Sequence, residues 1–234
     1  RPAAVVERGK NHRKLVKRIC TLRAVLQNQQ IKWKKANRAN VGMSNSASLE
    51  PPGSQLYFIA LLPPPAVRQD IRRLQEYVSE TYASKVALKS PPHITLQPPF
   101  TLAACDVPLL THVLAAVAVM APPVEIELSG FSAIAPRVVF LDVAAAPSLA
   151  ELQLLLADRL QTQCGVAKEV PRRRHYHPHL TIAFRDLKRR QFGALWEEVR
   201  ERSVHYAFTV TDLTLLWHDG KRWQVDSEFA LSGS

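Results

Sequence analysis

From residue 55 onward the chain alternates short apolar runs with stretches of helical periodicity. Gln55–Leu62 (QLYFIALL) is an apolar run of strand length, stopped by Pro63, Pro64 and Pro65. Val67, Ile71, Leu74 and Val78 then recur at helical spacing with Arg68, Asp70, Arg72, Arg73 and Glu76 between them, which predicts an amphipathic helix. Pro92-His93-Ile94-Thr95-Leu96 follows, then a helix near Val107–Met120 and a strand over Val124–Leu128.

The same order then returns. Arg137–Val143 reads as a strand, and Ser148 with Glu151 reads as a capping box opening a helix that closes at Gly165. Pro178-His179-Leu180-Thr181-Ile182, a helix near Leu187–Arg202 and a strand over His205–Val210 complete the second pass. The offset between the passes is roughly 80–86 residues, and repetition on that scale signals duplicated architecture. A hairpin follows, Leu213–Trp217 and Arg222–Phe229 around Asp219-Gly220. Residues 55–234 are therefore expected to form one α+β domain, with two related antiparallel-sheet lobes and outer helices around a central cleft.

Residues 1–54 differ in kind. Leu15, Ile19, Leu22 and Leu26 make one stripe of a basic amphipathic helix, and Asn37–Ser54 is an Asn/Ser/Gly/Pro-rich linker. Composition leaves two readings open, a functional arm or an extension ahead of a start at Met43.

Charge sharpens the division. Residues 1–42 hold twelve Lys and Arg against Glu7 alone, so of 31 basic and 20 acidic residues in all, 19 of each remain from Met43 onward. The net charge of +11 thus belongs to the tail, which is the segment expected to bind nucleic acid, and the body is near neutral. Three widely spaced cysteines without a CxxC argue against a disulfide framework or structural zinc and fit a reducing, cytoplasmic setting. The longest apolar stretch, Leu109–Val124, is broken by His112 and too short to span a bilayer, so no membrane role is expected; a monomer is.

The candidate chemistry sits in the repeated motif. Side chains at i and i+2 of a strand share a face, so His93 points with Thr95 and His179 with Thr181, while Ile94, Leu96, Leu180 and Ile182 turn to the core. An imidazole serves as base when neutral and acid when protonated, and threonine hydroxyls can donate to oxygens that gain charge in a transition state. Two such pairs facing each other suit phosphodiester chemistry, with one histidine activating water and the other protonating the leaving ribose oxygen. No metal or other cofactor is needed for this. No GxSxG elbow or Walker-type glycine loop is present.

Pro91–Phe100 (PPHITLQPPF) and His177–Arg185 (HPHLTIAFR) resemble the signature strands of the two-histidine (2H) phosphoesterase superfamily, and within it the 2′-5′ RNA ligase-like branch. The resemblance runs from about Gln55 to Leu231 and includes the opening strand and the segment of Phe131 and Pro136–Phe140. It implies a bilobal fold, cyclic phosphodiesterase or 2′-5′ ligase activity on RNA ends, His93 and His179 as acid and base, and Thr95 and Thr181 on the phosphate. It leaves open a small cyclic nucleotide or ADP-ribose-type phosphate as substrate, and a non-catalytic RNA-binding role stands as the alternative from another class.

Around the motifs, His177 is in phase with His179 and is a candidate substrate contact, since no carboxylate or Cys nearby in sequence completes a metal set. Arg185, continuing the same phase, is a candidate phosphate partner, and Tyr176 behind Arg172-Arg173-Arg174-His175 a candidate stacking surface for a base. Phe100 is read either as a base platform or as a plug of the lobe core.

Overall fold

The computed structural model describes residues 53–167 and 176–233, within one compact unit spanning Glu50–Ser234. The tail and most of the linker expected over residues 1–54, and the basic run Arg172–His175, lie outside the described residues.

The elements run β1 (Ser54–Leu61), α1 (Pro65–Tyr82), β2 (Ile94–Ala103), α2 (Val107–Met120), β3 (Val124–Ile134), β4 (Val138–Val143), α3 (Pro147–Arg159), β5 (His179–Ala183), α4 (Arg189–Val199), β6 (His205–Val210), β7 (Asp212–His218) and β8 (Trp223–Ala230). The strands form one antiparallel sheet in the order β6-β3-β4-β5-β2-β1-β7-β8. Each half of that order is a lobe, and the lobes meet at a single residue pair, Ile94 opposite Leu180, between β2 and β5. The α+β fold with two lobes about a central cleft is as the sequence predicts.

The repeats are not packed side by side. β3, the last strand of the first repeat, pairs with β4 and β6 of the second, and β7 takes the vacated place beside β1. The helices cross over too: α1 lies against β5 and α4, whereas α3 lies against β2 and α2. Each motif strand is thus covered by a helix from the other repeat.

Period-two alternation sorts the sheet into two faces. Ile59, Leu61, Ile94, Leu96, Leu141, Leu180 and Ile182 join Ile71, Val78, Leu114, Leu152, Leu156 and Leu195 in the main core under the helices. Phe58, Ala60 and Leu216 form a smaller cluster on the other face, with Trp223 packed against it. Among the described residues no helix is long and apolar enough to cross a membrane.

Two boundaries differ from the sequence reading. α3 begins at Pro147 after Ala146, with no side-chain cap, so Ser148 falls inside the first turn instead of capping it. Proline at the first helical position already carries the required φ, and it sets the start. β3 runs on to Ile134 because the Ser129-Gly130 break is a bulge, with Gly130 at φ +69 and the register with β4 shifting between Leu128 and Phe131.

Candidate active site

The motif phase holds in space. Ile94, Leu96, Leu180 and Ile182 are buried, while His93, Thr95, His179 and Thr181 are half-buried on the opposite face. Because the junction pairs Ile94 with Leu180, the antiparallel register sets His93 opposite Thr181 and Thr95 opposite His179. The two histidines are diagonal neighbours, a relation that puts backbone positions about 7–8 Å apart. Each imidazole thus has its own threonine two residues on and the other repeat's threonine across from it.

Both rings are held by the same device. His93 Nδ1 lies 2.7 Å from the Pro91 carbonyl oxygen, and His179 Nδ1 lies 2.9 Å from that of His177. A carbonyl only accepts, so Nδ1 carries the proton in each ring and Nε2 holds the free lone pair when the ring is neutral. Each ring also rests on a phenylalanine of the neighbouring strand: Phe58 at 4.8 Å from His93 and Phe140 at 4.9 Å from His179, both pairs tilted. Phe58 meets the edge of Trp223 at 4.6 Å, and Trp223 meets His218 at 4.9 Å.

The surroundings of the two histidines are not alike. Burial pushes His93 down to about 4; the Pro91 carbonyl opposes this, and the charges of His179 and Arg72 add to it. At neutral pH His93 is therefore the neutral imidazole, a base with its lone pair on Nε2. Asp142, the β4 residue opposite His179, lies with Oδ1 3.5 Å from His177 Nε2.

The structure brings His177 to this centre: it is exposed, and its ring stacks on that of His179 at 6.2 Å. Arg185 sits two positions beyond the end of β5 in the left-handed region, φ +60, exposed, with its guanidinium 5.3 Å from the Phe184 ring centroid. The alternating phase stops at Ala183, so Arg185 does not continue the motif row. Tyr176, read from sequence as a stacking surface, packs against the core instead, and its hydroxyl donates to the Thr95 carbonyl at 3.0 Å. Phe100 lies at the far end of β2, roughly 16 Å along the strand from Thr95, packed against the core near Tyr57. There it lines a separate cavity of about 350 Å³ with Leu56, Pro99 and Cys164.

Several contributors were not singled out from sequence. Buried Gln75 on α1 donates to the Thr181 carbonyl at 2.9 Å, and buried Gln153 on α3 points its amide at the Leu96 carbonyl, 3.5 Å away. The Asp186 carboxylate accepts from Ser84 Oγ and from the backbone N–H of Lys85 and Val86, tying the end of the second motif to the segment after α1. Phe58 and Phe140 fall within the repeat offset, which was the signal that could have found them. Among the described residues no three His, Cys, Asp or Glu come together as a metal ligand set.

A duplicated antiparallel sheet with an imidazole–hydroxyl pair on each of its two central strands defines a protein of the two-histidine phosphoesterase class. The chain belongs to the 2′-5′ RNA ligase superfamily, whose defining pattern matches residues 63–222. It is 28% identical over 183 residues to the Geobacillus kaustophilus protein named "Putative phosphoesterase GK0864", covering 76% of this chain and 96% of that one. It is 29% identical over 155 residues to a Geobacillus thermodenitrificans protein named in the same way, covering 65% of this chain and 84% of that one. Among solved structures, apo E. coli LigT matches with a TM-score of 0.53 at 21% identity, over 76% of this chain and 98% of LigT. TT0787 of Thermus thermophilus matches with a TM-score of 0.53 at 19% identity, over 76% of this chain and 99% of that one. These two likenesses show the fold.

Proposed function

We propose that this phosphoesterase opens 2′,3′-cyclic phosphodiesters at RNA ends to 2′-phosphates. The observation that carries the reading is the matched pair of Nδ1 anchors, which leaves both Nε2 atoms for substrate on a face that also holds Thr95 and Thr181. His93, kept neutral by burial, takes the proton of the attacking water at Nε2 as oxygen bonds to phosphorus. The P–O3′ bond breaks, and O3′ takes a proton from His179 Nε2. Thr95 and Thr181 donate to the non-bridging oxygens as their charge grows. The product is a ribose 3′-hydroxyl beside a 2′-phosphate, with the proton moved from His93 to His179 through solvent to close the cycle.

Making or breaking a 2′-5′ linkage is the same exchange with a ribose 5′-hydroxyl in place of water. Hydrolysis is the favoured direction, because water stands at about 55 M and ligation needs two aligned RNA ends. E. coli LigT has been crystallised with 3′-AMP, which supports a nucleotide end as ligand in this fold.

The test is turnover of nucleoside 2′,3′-cyclic phosphates with excess EDTA present, with products resolved by phosphorus NMR against 2′- and 3′-nucleotide standards. A 2′-phosphate formed by the wild type and not by H93A or H179A is the expected result. A 3′-phosphate, or activity dependent on an added divalent ion, would overturn it.

A further inference from the structure

Beside the His93 motif lies an open groove of about 520 Å³, lined by Arg68, Gln69 and Arg72 of α1 and by Pro91 and Pro92. It is tied to the catalytic centre through Pro91, which lines it and whose carbonyl also holds His93 Nδ1. Arg72 is half-buried, and one of its N–H groups donates to the Ser90 carbonyl at 2.6 Å. A guanidinium carries five donors, so most of this one is left unspent.

No carboxylate among the described residues comes within ion-pair distance of Arg68 or Arg72. Glu76, one turn on, and Arg222 of the β7–β8 turn act on Arg72 only through space, with opposite signs, and the Arg72 charge acts in the same way on His93. On the same helix Arg73 is treated differently: it is exposed and pairs with Asp70 at 3.3 Å. A cation half out of water with no ion-pair partner is costly, and an anionic ligand removes that cost.

The duplication shows that the fold itself does not require these cations. Gln75 on α1 and Gln153 on α3 reach for the opposite motif strand in the same way. Aligning the helices on them puts Ala150 where Arg72 stands, and the register of Arg68 falls on Ala146, the residue just before α3. α3 supports the β2 motif strand without either charge, so the two arginines of α1 answer to something other than support of a motif strand.

We propose that Arg68 and Arg72 form a second phosphate subsite, which holds the backbone phosphodiester next to the terminal cyclic phosphate of a polynucleotide. This rests on the reading of the centre as a cyclic phosphodiesterase and deepens it: the substrate is a chain end rather than a mononucleotide. A bidentate guanidinium contact fits a phosphodiester, and an RNA strand supplies one at each step along it.

The experiment compares kcat/KM for three substrates: a nucleoside 2′,3′-cyclic phosphate, the same compound with a 5′-phosphate, and a dinucleotide ending in a 2′,3′-cyclic phosphate. The dinucleotide should be preferred over the nucleoside compound by about ten- to hundredfold, and R68A and R68E should collapse that ratio. R68K should keep part of it, and R73A, which removes the same charge away from the groove, should keep all of it. Preference for the 5′-phosphate equal to that for the dinucleotide would show a monophosphate pocket and overturn the chain-end assignment. Equal ratios for the wild type and R68A would overturn the subsite while leaving the catalytic reading intact. No turnover of any of the three would instead overturn the catalytic reading, and this inference with it.

Discussion

The Tyr176 hydroxyl donates to the Thr95 carbonyl, joining a residue that precedes the second motif to the strand of the first, 3.0 Å apart and 81 positions apart in sequence. Burial also lifts the Tyr176 phenol far above its ordinary range, so it remains a donor at any pH the protein tolerates. Tyr176→Phe removes that donor and leaves a strand carbonyl short of a partner. The expected cost is about 1–2 kcal/mol of stability, read as a lower denaturant midpoint with an unchanged slope. An unchanged midpoint would mean that the bond contributes nothing net.

His93→Ala and His179→Ala should each lower kcat by about 10²–10⁴-fold, since each removes one partner of a coupled proton transfer. Thr95→Ala and Thr181→Ala should cost about 10²–10³-fold, as expected for one lost transition-state donor. Circular dichroism of all four should match the wild type. Wild-type turnover in either histidine variant would displace the site.

The depression of His93 to about 4 has consequences for both rate and stability. As the proposed base, His93 stays neutral well below the pKa of about 6.5 of a free imidazole, so the acid limb of kcat/KM should fall near pH 4–5. For stability the direction is fixed by the proton count. Above pH 6.5 His93 is neutral both folded and unfolded, and it contributes no pH dependence. Between about 6.5 and 4 the unfolded chain binds a proton that the folded chain refuses, so stability drops by up to about 3 kcal/mol. Denaturant midpoints at pH 7 and 4.5 should diverge more for the wild type than for H93Q. Equal divergence would remove His93 as the cause.

Deleting residues 1–42 should leave kcat on a cyclic mononucleotide unchanged and flatten the salt dependence of binding to long RNA. The whole net charge of +11 resides there, and on a single strand the log–log slope is about −0.7 per phosphate neutralised. Equal slopes for the full and shortened chains would take the tail out of RNA binding.

The motif strands were legible because their signal is local: alternation fixes which side of a strand each residue takes, and the repeat says that there are two. What the sequence could not show is partnership. Nothing in Val124–Ile134 says that β3 deserts its own repeat for β4 and β6, since an apolar alternating strand fits either lobe equally well. The same blindness hid the inward turn of Tyr176 and the end of the motif row before Arg185, both set by packing beyond the strand. The lowering of His93 was hidden too, because the Phe58 ring packed beside it and the charge of Arg72 reach it from other elements.

That exchange of β3, α1 and α3 between the repeats means that neither repeat is a module. A polypeptide ending near Pro136 would carry β3 with neither of its neighbours and would leave β2 without its covering helix. One starting there would lack the helix over β5. Each fragment made alone would expose the surfaces that the other covers. Made together, they hold what is needed to rebuild one another, and only the reassembled pair would bring His93 and His179 side by side.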